Sequence, residues 1–292
     1  MDFGVKFRKG QDRVMEYEGG YMAVPSVPGA GKTFVLTQLA AKLIQEERHK
    51  PGKILIVTYM NSAVANFKDR IYTLLKERGL NPTQGYEVMT LHTLAMKIIK
   101  EKPDKLLMDD EVQVLDEVRQ LELFRDIFDN WLVKNRDKFH SLIDTKRFSH
   151  QQLQQMEDRW EADFFKTVTG IFGYFKIQGM DPAKLEAMIN TENDALLLGW
   201  ASQLFKEYER ALSLGGFIDF NDILINAMEL LREDRELLTR YQRLYSFVFE
   251  DEAQDSNMVQ QEILMMLSED NGNLIRVGDS NQAIMSTFTI SD

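Results

Sequence analysis

The sequence predicts an α/β fold: a parallel sheet with helices on both faces, interrupted by a mainly α-helical insertion subdomain. Three observations predict it. A short apolar run passes straight into a glycine-rich loop and a helical pattern, "YMAVPSVPGAGKTFVL". Strand-like and helical patterns alternate through the first hundred residues, as they do where crossover helices join parallel strands. A long block of charged helical segments then gives way to two more apolar strands near the end.

Over roughly the first hundred residues the order reads helix, strand, loop, helix, strand, helix. "YMAVPSV" is a short strand entering the loop. "TFVLTQLAAKLIQEERHK" places apolar residues at 34, 35, 36, 39, 40, 43 and 44, a helical stripe that closes in charged residues. "PGKILIVTYM" opens on a Pro-Gly turn and continues as a nearly unbroken apolar strand, the pattern of a strand buried on both faces. "NSAVANFKDRIYTLLKERGL" is helical again, with Asn61 as its expected N-cap and Gly79 as its stop.

From about 104 to 215 the segments are long, charged and helical, as in "DDEVQVLDEVRQLELFRDIFDNWLVKN" and "ALLLGWASQLFKEYERALSLGG". Strand character returns with "YSFVFEDEAQD" and "NLIRVGDSNQ". The expected organisation is therefore a discontinuous α/β domain over 1–103 and 216–292, with 104–215 inserted. Trp131, Trp160 and Trp200 are expected to pack the insertion.

At 292 residues and 44% hydrophobic composition, the chain can bury a substantial core. No run approaches the 18 or more apolar residues of a membrane span, and the first residues lack the apolar block of a signal peptide, so a cytoplasmic protein with no membrane partner is expected. Cysteine is absent, which excludes disulfides and thiolate metal sites. The four histidines, His49, His92, His140 and His150, show no H-E-x-x-H spacing, and no structural metal is expected. The net charge of −11 is uneven: residues 1–100 carry +6 and the remainder −17. A local basic surface in the first third is compatible with a phosphate-backbone partner despite the acidic total.

The stretch "SVPGAGKT" follows G-x-x-x-x-G-K-[ST], with Ser26 where the first glycine would stand. That pattern wraps backbone N–H groups around phosphates, sends the lysine to the β and γ oxygens, and gives the hydroxyl to magnesium. The candidate ATP contacts are Pro28, Gly29, Ala30, Gly31, Lys32, Thr33 and Phe34, with Thr33 on the Mg2+ side. A glycine-rich turn capping a helix is the alternative. "FVFEDEAQD" is an apolar strand ending in acids, the arrangement that delivers a carboxylate to a magnesium ion beside such a loop. Asp251 is the candidate metal ligand, and Glu252 the candidate base for an attacking water. In "RVGDSNQAI", Gln282 can donate and accept at a terminal phosphate or that water. Gln11, 21 residues before Lys32, has an amide able to pair with adenine.

Taken together, these blocks resemble the UvrD/Rep-like DNA helicases of superfamily 1. "GQDRVMEYEGGYMAVPSVPGAGKT" is similar to the family's adenine-reading glutamine and phosphate loop. "VTYMNSAVANFKDRI" is similar to T-F-T-N-x-A-A-x-x-M-x-x-R-I, and "VMTLHTLAMKII" to the T-F-H-S-L block. "IDFNDIL" resembles the segment at which the family's chain returns from its helical insertion. "EDEAQDSN" resembles D-E-x-Q-D-T, and "VGDSNQAI" resembles G-D-x-x-Q-S-I. The resemblance implies a RecA-like P-loop NTPase domain that uses ATP and Mg2+. It implies Lys32, Glu252 and Gln282 as catalytic, Thr33 and Asp251 at the metal, and Gln254 coupling nucleotide to DNA. Tyr59 would stack on a base of single-stranded DNA, with Asn61, Thr90 and His92 along the strand's path and Phe288 as a further platform.

Two departures from the family pattern stand out. Met285 replaces the tyrosine that usually follows the last block, and Phe288 takes the place of the family's stacking aromatic if one residue is inserted. The sequence ends at Asp292, before the second RecA-like domain whose arginines the family brings to the γ-phosphate. The resemblance therefore implies the first motor domain of a helicase that moves 3′ to 5′ on single strands and unwinds duplexes with a 3′ overhang, its partner being the second motor domain of a longer protein. A stand-alone module that uses ATP as a switch and docks on a partner protein or a separate motor subunit is the alternative, and the phosphate loop alone would also suit a metabolite kinase.

Overall fold

The computed structural model describes residues 7–102, 113–143, 149–177 and 195–279. In chain order these form α1 (Gln11–Met15), β1 (Tyr21–Pro25), α2 (Lys32–Gln45), β2 (Lys53–Thr58), α3 (Asn61–Glu77), β3 (Tyr86–Thr90) and α4 (Leu91–Ile99). Next come β4 (Gln113–Val114), α5 (Glu117–His140), α6 (His150–Ile177), α7 (Ala195–Gly215) and β5 (Phe217–Ile218). The chain continues through α8 (Phe220–Glu233), α9 (Arg235–Leu244), β6 (Tyr245–Asp251), a 3-10 turn (Ala253–Asp255), α10 (Met258–Ser268) and β7 (Leu274–Gly278).

Five strands make one sheet in the order β1-β7-β6-β2-β3, with every pairing parallel. Burial follows position in that order. β2 and β6 lie inside the sheet and are buried nearly throughout, whereas β1 at the edge alternates between exposed and half-buried residues. Pro25 is tolerated there because an edge strand need not donate on both sides. Ile54, Ile56, Phe247, Phe249, Ile275 and Val277 turn to one face and meet the apolar sides of α2 and α3. Leu55, Val57, Val248 and Leu274, one residue out of step, turn to the other, where α10 packs on β6 and β7.

The described residues divide into two units, one running to Lys102 and resuming at Leu224, the other ending at Ile223. The second unit is helical with a core made largely of rings. Phe139 is fully buried and lies 5.2–5.7 Å, centroid to centroid, from Trp131, Trp160, Phe164 and Trp200. The three tryptophans therefore pack this unit as expected, Trp160 at its rim.

Local details differ from expectation. Asn61 is the first residue of α3 rather than its cap: extended Met60 occupies that position and no side chain caps the helix. Gly79 does follow the helix in the left-handed conformation. The strand β3 and the two-residue β4 and β5, which pair in parallel, were not read from the sequence.

Candidate active site

Because all five strands run the same way, the segments that follow them gather at one edge of the sheet, where open α/β folds place their ligands. The glycine loop leaves β1 there and enters α2. Ser26 N donates to Gly278 O at 2.8 Å, tying the start of the loop to β7. Gly29 and Gly31 have φ of +73° and +87°, a region that penalises any Cβ. At Gly31 space is short as well, since a Cβ would sit 2.9 Å from Gln11 Nε2. That same amide donates to Ala30 O at 2.7 Å, so Gln11 from α1 braces the loop directly. Pro28 and Gly29 are exposed, while Thr33 and Phe34 are half-buried in the first turn of α2. No side chain caps α2, which leaves its first amide donors facing the loop.

Two strands away, β6 delivers its acids to the same edge. Lys32 Nζ is ion-paired with Glu252 Oε2, so the loop lysine and the strand-end carboxylate meet across 220 residues of sequence. Glu252 also accepts from Gln254 Nε2 at 2.8 Å, and Gln254 Oε1 accepts from Asp279 N at 2.8 Å. Gly278 leaves room for that bridge: a Cβ on it would lie 2.8 Å from Gln254 Oε1. Glu252 has φ of +57°, the left-handed region that a side chain seldom adopts.

The two carboxyls are driven apart in acidity. Asp251 is buried, and that burial, reinforced by the charge of Glu252, pushes its pKa from 3.8 up to about 6 against a smaller pull from Lys32. For Glu252 burial acts in the same direction, but hydrogen bonds from Gln254 and Lys32 outweigh it and hold the group below its usual range.

Asp251 Oδ1 is buried and has no hydrogen-bond partner. An orphaned carboxylate oxygen beside a phosphate-type loop suits a magnesium ion, which takes one or two protein oxygens and completes its shell from phosphate and water. No group of three or more His, Cys, Asp or Glu converges among the described residues, so a dedicated all-protein cage is not what these side chains offer.

β2 and β3 bring the remaining candidates to the same edge. Tyr59, just after β2, is half-buried; its hydroxyl donates to Glu250 Oε1 at 3.3 Å and lies 3.5 Å from Gln260 Oε1. Burial, then the charge of Glu250, pushes its pKa far above that of an ordinary phenol. Asn61 is exposed on the first turn of α3. Thr90 caps α4 through Thr93 N, and His92 is half-buried in that helix's first turn. Gln282 and Phe288 lie outside the described residues. Sequence reasoning missed Glu250, which is fully buried on β6, takes Arg276 Nε at 2.5 Å, and accepts from Tyr59. An acid inside "FVFED" was the available signal.

No helix among the described residues is long and apolar enough to cross a membrane. The sheet, its flanking helices and the helical insertion match the RecA-like P-loop NTPase architecture. The chain is 29% identical over 276 residues to a probable DNA helicase II homolog of Rickettsia felis, covering 94% of this chain and 37% of that protein. It is 30% identical to DNA helicase II of Rickettsia typhi over 88% of this chain and 34% of that one. Against the ATP-dependent DNA helicase PcrA of Staphylococcus epidermidis the identity is 25%, over 94% and 33%. The chain thus spans about a third of the length of these curated relatives. The family model for the UvrD/REP helicase N-terminal domain matches residues 7–287, and the chain belongs to that family.

Proposed function

We propose that this chain is the ATP-binding first motor domain of an ATP-dependent DNA helicase that moves 3′ to 5′ along single-stranded DNA. The observation that carries the reading is the meeting of Lys32 with Glu252 beside the orphaned oxygen of Asp251. Loop amides of residues 29–31 and the first turn of α2 would receive phosphates, with Lys32 at the terminal ones and Gln11 at the base. Thr33 and Asp251 would hold magnesium, whose chemistry is charge neutralisation on the phosphate oxygens.

Lys32 cannot serve phosphate and Glu252 equally. When a terminal phosphate draws the ammonium away, Glu252 loses its cation and keeps the Gln254 hydrogen bond, which orients a carboxylate free to take a proton from water. Gln254 is also bonded to Asp279 N at the end of β7, next to the segment that carries Gln282. On the DNA side, Tyr59 is the stacking residue, with Asn61, Thr90 and His92 beside it at the ends of β2 and β3. By resemblance, full turnover requires the arginines of a second motor domain.

ATP turnover by residues 1–292, measured with and without single-stranded DNA and with Lys32→Ala as the background, tests this. The expected result is weak Lys32-dependent nucleotide binding with slow turnover. Strong DNA-stimulated turnover by a monomer would overturn the need for a second domain, and no Lys32-dependent nucleotide binding would overturn the site itself.

A further inference from the structure

The edge of the sheet opposite the candidate active site carries a second surface. The segments that lead into β2, β3 and β6 meet there in a cleft of about 1050 Å³ that includes Lys50, Lys53, Glu101, Arg240 and Arg243. A smaller cleft of about 620 Å³ adjoins it along α9, formed by Arg235, Glu236, Thr239, Arg240 and Arg243. Arg240 and Arg243 belong to both.

The charge of this face opposes that of the whole chain. Five cationic heads line it against two carboxylates, on a protein of net charge −11; Lys50 is paired with Glu47 and Lys53 with Glu87, which leaves the two outer arginines of α9 as its uncompensated charges among the described residues. Arg235 and Arg243 are exposed and form no ion pair among the described residues, while Arg240 is paired with Glu101. The arginines stand out because α9 buries Leu237 and Tyr241 on its other side. At about 1.5 Å per residue, Arg235 and Arg243 are about 12 Å apart along the helix axis. One strand of a duplex advances about 3.4 Å per phosphate, so the row matches three or four phosphates.

The geometry points to a docking surface for the phosphate backbone of duplex DNA, separate from the nucleotide edge. Guanidinium groups fit phosphate in two-point contacts, and the Thr239 hydroxyl adds a neutral donor. A duplex fits better than a single strand because the face offers no ring to stack on: Tyr241 is 1% exposed, its hydroxyl is bonded to Glu101, and His49 is buried. Contacts of this kind hold and orient a duplex without reading its sequence.

The test is binding of a blunt-ended duplex, by fluorescence anisotropy at several salt concentrations, to the wild-type chain and to Arg235→Gln/Arg243→Gln. The expected result is an affinity loss on the order of tenfold near 0.1 M salt and a log–log salt slope reduced by about two. Circular dichroism shows whether the variant is folded, and an oligo-dT titration, expected to be unchanged, keeps the result distinct from the single-strand site. Duplex binding equal in wild type and variant overturns the proposal, as does no duplex binding by the wild type. Competition by polyglutamate as effective as by duplex overturns it in favour of an acidic protein partner. Loss of ATP binding in Lys32→Ala with duplex binding intact supports two separate sites, whatever becomes of the nucleotide reading.

Discussion

Asp251→Asn should make the protein more stable near neutral pH while abolishing its nucleotide chemistry. Ionised Asp251 is buried with one oxygen unpartnered and Glu252 adjacent, which raises its pKa from 3.8 to about 6. A carboxyl whose folded pKa lies above its unfolded value binds its proton more tightly in the folded state. The stability it contributes is complete below about pH 4 and is lost as pH rises through about 6. At about 1.4 kcal/mol for each tenfold change in proton affinity, the loss at pH 7.5 amounts to about 3 kcal/mol. An amide keeps the shape and never ionises. Urea titrations at pH 4, 6 and 7.5, followed by far-ultraviolet circular dichroism, should show the variant ahead by about 3 kcal/mol at the highest pH and level at the lowest. Tryptophan fluorescence provides an internal control, because all three tryptophans belong to the other unit and should report no change. A variant that is less stable than wild type at pH 7.5, or a difference independent of pH, would refute the reasoning.

Two other substitutions test neighbouring inferences. Tyr59→Ala should weaken oligo-dT binding by about 1–3 kcal/mol, the worth of one stacked base. Tyr59→Phe, which keeps the ring and removes only the hydroxyl that meets Glu250, should stay close to wild type; equal binding by all three proteins would remove Tyr59 from the DNA path. In the helical unit, Lys176 is buried and holds Asp219, Asp222 and Glu209 at 2.7–2.8 Å. Lys176→Met should destabilise that unit by about 3–5 kcal/mol at pH 7.5, because it leaves three carboxylates without their cation. The deficit should shrink at pH 5: burial already raises Glu209 and Asp222, and without the cation they protonate sooner. Tryptophan-detected urea denaturation measures it, and an undiminished midpoint would show that the cluster carries no such load.

The parts of this molecule that could be read from its sequence are those whose signal is local. Gly29, Gly31, Lys32 and Thr33 announce a loop and a helix start within a few residues, and the apolar run before Asp251 announces a strand that ends in acid. β3 escaped because "YEVMT" mixes charged and apolar residues and only one of its five is buried. β4 and β5 are two residues each, too short for any periodicity. Asn61 has the residue type of a cap but follows an extended Met60 that takes the position. The bonds from Tyr59 and Arg276 to Glu250 were out of reach for a different reason: they join two strands and the segment just past a third, and nothing near any one of them implies the others. The arginines of α9 were hidden within the acidic average of the later chain.

The edge position of β1 sets an order of events during synthesis. Among the described residues its only strand neighbour is β7, so residues 21–25 have no described strand to pair with until residues 274–278 exist. Roughly 250 residues separate the two, which at ribosomal rates of about 5–20 residues per second is roughly 12 to 50 seconds. The helical unit, whose described core lies entirely between them, is synthesised before β7 is made. The glycine loop, though encoded near the start, is thus anchored at its β1 end only when β7 arrives. A ribosome stalled before β7 would carry a chain whose insertion is folded and whose glycine loop is held by Gln11 but not yet tied at Ser26.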